Sequence, residues 1–205
     1  MDKSDSTKFT IGASGLLGIN GNVEMLTIQS DDATGISLSK PSSQLKRLRI
    51  LSKSRNASAA KTTIDLSGAT GCQAVHYCFV HILVAGYTMD LLDLTKQTKL
   101  KYLALGGFNW KNYSFIEMTK FLGSPNEMDT SIEEVKLPAN NVIEYVAGRT
   151  PFQNGKFDID NLPRLKKFFW QSPAFANLTF AKSQNLEILF ATAPSGGVRL
   201  NVDLG

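Results

Sequence analysis

The sequence predicts a β-dominated α/β fold: an irregular solenoid of about six or seven stacked repeat units, carrying one or two short helices on its convex side. Three observations lead there. An apolar pattern recurs, written φxφ, five residues, then φxxφxφ, and is clearest at Leu92, Leu94, Leu100, Leu103 and Leu105. Copies hold register: Ile36 to Ile64 and Ile64 to Leu92 each span 28 residues, and Phe157 to Leu178 spans 21. Filler residues agree too, with Asp65, Asp93 and Asp158 in one column and Ser39, Ser67 and Thr95 in another. A unit of this kind cannot bury its apolar face alone, so neighbours must stack into a continuous core.

The elements follow in order. Phe9, Ile11, Val23, Leu26 and Ile28 form a first copy with an insertion, within an irregular N-terminal unit over 1–29. Repeats then run over 30–195. Ile36, Leu38, Leu45, Leu48 and Ile50 carry one extra residue, whereas Ile64, Leu66, Cys72, Val75 and Tyr77 match strictly. After Leu92–Leu105, Ser114 and Glu117 have capping-box spacing and Gly123 is a stop, which predicts a short helix. Ile132, Val135 and Leu137 supply the second half of another unit. Strict copies return at Phe157, Ile159, Leu165, Phe168, Trp170 and at Leu178, Phe180, Leu186, Leu189, Ala191. Residues 196–205 are expected to cap a single domain of 1–205. Because the closing φxφ alternates like a strand, its outer residues point into the core and the middle one points away.

Composition narrows the function. A chain that is 42% hydrophobic and 20% charged is globular rather than disordered. Its formal net charge of +4 is too mild to indicate nucleic acid by itself. Cys72 and Cys78, the two cysteines, cannot build a disulfide framework. No apolar run follows a basic start, so a cleavable signal is not expected, and no stretch reaches membrane-spanning length.

The segment Leu92-Asp-Leu-Thr through Leu100-Lys-Tyr-Leu103-Ala-Leu105 resembles leucine-rich repeats whose units read L-D-L-S/T-x-x-x-x-L-x-x-L-x-L, a style found in Bacteroidetes proteins and their phages. The resemblance extends over about 30–195 and is strongest at Ile64–Leu105 and Phe157–Ala191. It implies a non-enzymatic protein-binding or structural module without a cofactor, cytoplasmic or part of a larger assembly such as a phage virion or tail. The asparagine that follows the strand in that family stands here only as Asn140, so a regular asparagine ladder is not expected.

Four other motifs bear on function. Gly12-Ala-Ser-Gly15-Leu-Leu-Gly18 has the spacing of a dinucleotide-binding turn, which would make the chain an NAD(P)-dependent enzyme. Ile19-Asn-Gly21-Asn would break the helix such a turn requires, so a glycine-rich loop between strands is expected instead. Cys72, His76, Cys78 and His81 suggest zinc, but the repeat register splits them over two faces of a strand. The aspartate column is expected to accept turn N–H bonds rather than bind metal. Lys46, Arg47, Arg49, Lys53, Arg55 and Lys61 form the densest basic run, a solvated face or, alternatively, a nucleic-acid patch.

The predicted binding surface is therefore the outward side of the strands: Met25/Thr27, Arg47/Arg49, Ala74/His76, Tyr102/Ala104, Glu134/Lys136, Lys167/Phe169 and Ile188/Phe190. Arg47, Arg49, His76, Tyr102, Lys136, Lys167, Phe169, Ile188 and Phe190 are its partner-binding candidates. Phe169, Ile188 and Phe190 would make an apolar patch at an interface or lie beneath a C-terminal cap.

Overall fold

The computed structural model describes residues 7–10, 15–16, 24–31, 35–38, 43–54, 63–81, 89–105, 132–148, 157–171, 177–192 and 201–205. They form a β-solenoid of parallel strands. Eight strands make one long sheet in the order β1 (Thr7–Thr10), β3 (Met25–Asp31), β5 (Arg47–Ser54), β7 (Ala74–His81), β9 (Tyr102–Leu105), β11 (Tyr145–Gly148), β12 (Lys167–Gln171) and β14 (Ile188–Thr192). The opposite side is built from shorter strands. β2 (Gly15–Leu16), β4 (Gly35–Ser37) and β6 (Thr63–Asp65) form one group, β8 (Met89–Asp93) and β10 (Ile132–Lys136) a second, and β13 (Asn177–Thr179) and β15 (Asn201–Asp203) a third. A parallel bridge from Val135 to Phe157 continues that side between β10 and β13.

The recurring pattern maps onto this architecture directly. The first φxφ is the short strand, as in Leu92 and Leu94, and the last is the long-sheet strand, as in Leu103 and Leu105; all four are buried. The five residues between are a corner made of two successive tight turns. In one unit the Gln97 N–H donates to the Leu94 carbonyl at 3.0 Å and the Leu100 N–H to the Gln97 carbonyl at 3.0 Å; Ala69 and Ser183 occupy the equivalent corner positions. Each corner turns its middle residue inward, so Ala69, Gln97, Leu162 and Ser183 are all buried. The third apolar position then stacks Leu45, Cys72, Leu100, Ile143 and Leu165 into one buried column. Each fully buried Leu or Ile of these columns contributes about 1.5–3 kcal/mol from apolar burial.

Polar side chains knit the corners together. Gln97 Nε2 donates to the Leu66 carbonyl of the preceding coil at 2.7 Å, Asn141 Nδ2 to the Asn161 carbonyl at 2.6 Å, and Ser183 Oγ to the Leu162 carbonyl at 3.0 Å. At Leu66 and Leu162 they add a second donor to carbonyls that already accept the Ala69 and Leu165 N–H groups. They lie at the corners, away from the position after the strand where asparagine was sought.

One unit is placed differently from expectation. Ile132–Leu137 was read as the long-sheet half of a repeat, yet Val135 pairs with Leu92 and Lys136 with Asp93 on the opposite side. The long-sheet half is Ile143, Val146 and Gly148; on β11, Val146 pairs with Leu103 of β9 and Phe168 of β12, and Gly148 with Leu105 and Trp170. A glycine at the fifth apolar position, where Leu105 and Trp170 stand in the neighbouring coils, hides this copy. The Trp170 indole fills the space that a Gly148 side chain would take.

At the C-terminal end, the described part of the expected cap, 201–205, takes the form of one more strand. Val202 pairs with Leu178, and Val202-Asp203-Leu204 repeats the φDφ motif. The helix expected over Ser114–Gly123 lies outside the described residues, as do Gly12, Gly18, Arg55 and Lys61.

Candidate binding surface

The outward side of the long sheet begins with a charged column, the residue preceding each strand. It runs Glu24, Lys46, Gln73, Lys101, Glu144, Lys166, Glu187. Each carbonyl from Glu24 to Lys166 accepts two N–H groups from the next coil; the Lys46 and Arg47 N–H groups donate to Glu24 at 2.9 and 3.0 Å, and the pattern repeats to Glu187 and Ile188 on Lys166. Backbone pairing thus stacks these side chains one coil apart, and their charges largely alternate. Lys46 Nζ lies 2.7 Å from Glu24 Oε1, while Glu144 binds Lys166 at 3.0 Å and Lys101 at 3.6 Å. The Lys166 ammonium, helped by Lys101, holds the Glu144 carboxyl below its ordinary range, and Glu144 in turn raises Lys166. Lys46 similarly lowers Glu24.

Next comes the first outward column of the strands: Met25, Arg47, Ala74, Tyr102, Tyr145, Lys167, Ile188, each in register with its neighbour. The Tyr102 and Tyr145 rings stack with centroids 4.5 Å apart and planes 5° from parallel. Lys167 Nζ sits 5.4 Å from the Tyr145 ring centre, a favourable cation–π position. Partial burial raises the Tyr102 phenol, with Tyr145 and Glu144 adding to it.

The second outward column runs Thr27, Arg49, His76, Ala104, Ala147, Phe169, Phe190. Its centre does not face solvent as expected: His76 is 2% exposed and Phe169 4%, and Ala104 and Ala147 are buried beside them. Alternation correctly points these side chains away from the core, but it carries no information about what covers that side. Phe169 stacks on Phe190 at 6.1 Å, and only Phe190 of the two is exposed. Of the other candidates, Arg47, Tyr102 and Ile188 are exposed, whereas Arg49 and Lys167 are half-buried.

Lys136 belongs elsewhere. On β10 it lies in register with Asp93, and the Val135–Phe157 bridge sets it beside Asp158, so a lysine stands between two members of the aspartate column. Glu134, Lys136, Thr95, Asp158 and Asn161 line an open groove of about 410 Å³ there, floored by Val135 and Leu137. Tyr145 takes the place expected for Glu134, because the Gly148 unit lacks the apolar residue that would mark it in the sequence.

The remaining motifs resolve locally. Asp65 Oδ1 accepts the Ser67 N–H at 2.9 Å, Asp93 Oδ1 accepts the Thr95 N–H at 2.9 Å and its hydroxyl at 2.6 Å, and Asp203 Oδ1 accepts the Gly205 N–H at 3.0 Å. The thiol of Cys72 is buried in the core and pushed up to about 12 by that burial, while His76 lies on the other side of the sheet. Among the described residues no three His, Cys, Asp or Glu side chains gather at one point. Gly15 and Leu16, from the glycine-rich turn, form β2 and pair with Ile36 and Ser37. No helix among the described residues is long and apolar enough to cross a membrane.

The exposed large apolar side chains are concentrated at one end. Ile188 and Phe190 on β14, and Val202 and Leu204 on and beside β15, are all exposed, Leu204 at 64%; Tyr102 is the other large one among the described residues. Val202 and Leu204 occupy inward positions, left open because no described strand stacks beyond them. Neither family models, curated proteins nor solved structures yield a match to this chain.

Proposed function

We propose that the chain is a non-enzymatic repeat module that binds protein, a structural subunit of a larger assembly such as a virion or tail. One observation carries this reading: β14, the outermost described strand of the long sheet, exposes Ile188 and Phe190 on its outward side. Large apolar side chains exposed side by side on one strand mark an interface. The edge strand Ile188-Leu-Phe-Ala-Thr192 bears no charge or proline to discourage pairing. The resemblance to leucine-rich repeats, whose solenoids present surfaces to protein partners, supports the same reading.

The test is co-purification of the tagged full chain from its native source. Wild type should bring down a stoichiometric protein partner, and a folded Ile188→Asp/Phe190→Asp chain should lose it. Equal recovery by both chains would contradict docking at this end. Saturable micromolar NAD(P) binding in a calorimetric titration would favour an enzyme instead.

A further inference from the structure

We propose that the groove along β10 is a binding site for a neutral polyhydroxylated ligand, a sugar ring that offers two vicinal hydroxyl groups. It lies on the short-strand side of the solenoid, away from Ile188 and Phe190, so it stands or falls independently of the protein docking proposed above.

Two departures from the repeat meet at this groove. Where the φDφ motif is kept, the aspartate accepts the N–H two residues on, as Asp65, Asp93 and Asp203 do. In the β10 coil that second residue is Pro138, which has no N–H to offer. No carboxylate is needed there, and Lys136 takes the place in register with Asp93. In the next coil Asp158 keeps the carboxylate without the task. Among the described residues its side chain accepts no hydrogen bond, from Asp160 or from any other group.

The groups released in this way stand close together. Lys136 and Asp158 are neighbours in adjacent coils, one strand spacing or about 4.8 Å apart along the axis. Glu134 lies two residues back on the same face of β10, about 6.6 Å along the strand. Among the described residues no hydrogen bond or ion pair engages the side chains of Glu134, Lys136 or Asp158. The charges of the long sheet differ in this, since Glu24 binds Lys46 and Glu144 binds both Lys101 and Lys166. Asn161 adds an amide to the groove and Thr95 a hydroxyl; the Thr95 hydroxyl donates to Asp93, which leaves its oxygen to accept. Half-buried Leu137 supplies an apolar floor. The volume, about 410 Å³, falls within the range of small-molecule sites.

The alternation of charge decides the ligand. A phosphate or carboxylate that reached Lys136 would also meet Asp158 and Glu134. An ammonium or guanidinium held by those carboxylates would meet Lys136. A hydroxyl group suits both, because it accepts from the ammonium and donates to the carboxylate at once. Two vicinal hydroxyls on a ring span Lys136 and Asp158 while a C–H face of the ring rests on Leu137. A zwitterion answers the charges alone; the Asn161 amide and the Thr95 oxygen add donors and acceptors that further hydroxyls use.

The experiment is an amide-resolved NMR titration of the full chain with methyl β-glucoside, methyl β-galactoside and methyl α-mannoside, which together carry trans and cis vicinal diols. Leucine and inorganic phosphate are the zwitterionic and anionic rivals. At least one glycoside should give saturable shifts centred on Thr95, Lys136, Asp158 and Asn161, with an affinity that salt leaves unchanged. Lys136→Met and Asp158→Ala each remove one partner of the hydroxyl pair and should weaken that binding about 3- to 10-fold. Both variants should unfold close to the wild-type midpoint, because neither side chain ties the fold together. The site is overturned if none of the three glycosides saturates those amides, or if leucine or phosphate binds through them as tightly. It is also overturned if salt weakens the glycoside, or if either variant binds it as wild type does.

Discussion

Trp170 and Gly148 share one space. A Cβ built on Gly148 would fall within the Trp170 indole, against its Cζ3, Cη2 and Cε3 atoms, and the two residues are direct partners in the register of β11 and β12. The indole also packs on Phe168, with ring centres 5.7 Å apart, and on Phe157 at 5.9 Å. Gly148→Ala should therefore destabilise by about 1–3 kcal/mol through overpacking, and Trp170→Ala by about 3–5 kcal/mol through the cavity it leaves. Because both act on one volume, a double-mutant cycle in denaturant should be non-additive, with Gly148→Ala costing less when Trp170 is absent.

The corner bonds predict a second set of losses. Gln97→Ala removes the donor to the Leu66 carbonyl, and Ser183→Ala the donor to the Leu162 carbonyl. Each removes one of two donors from a carbonyl that also accepts a turn N–H, from Ala69 or Leu165, and should cost about 0.5–1.5 kcal/mol, measured as a lower denaturation midpoint with an unchanged slope.

The Glu144 carboxyl should show in the acid limb of stability. Lys166 and then Lys101 hold it below the ordinary value of 4.5. A carboxyl lowered by folding contributes stability that is present above 4.5 and lost as pH falls through the depressed value. Unfolding measured across that acid window should show a shallower loss for Glu144→Gln than for wild type, and high salt should shrink the difference.

Cys72 should be inert while the chain is folded. Its thiol, pushed up to about 12 by burial, presents almost no thiolate at pH 8. In a Cys78→Ser background, a disulfide reagent should react with the native chain only on the timescale of unfolding, and rapidly in denaturant.

How much of this was legible in the sequence depended on which residues carried the signal. Leu92–Leu105 displays all five apolar positions, and its strand alternation, corner and aspartate turn are where the pattern puts them. Asp65 behaves the same way. The unit ending at Gly148 was invisible, because its fifth core position is filled from another coil by Trp170; with it went Tyr145 and the true location of Lys136. His76 and Phe169 show a different limit, since periodicity states which side of a strand a residue takes and nothing about what lies over that side. The Glu24–Lys46 and Lys101–Glu144–Lys166 pairs could have been found by aligning the residue before each long-sheet strand, where charges alternate from coil to coil.

The central claim, that the chain binds a partner at the edge strands β14 and β15, is tested most directly by amide hydrogen exchange on the chain alone and within its native assembly. Protection gained on assembly should concentrate on Ile188–Thr192 and Asn201–Gly205, the edges of β14 and β15. Unchanged exchange at those amides in the assembled state, or protection confined to the opposite end of the long sheet at Thr7–Thr10, would contradict it.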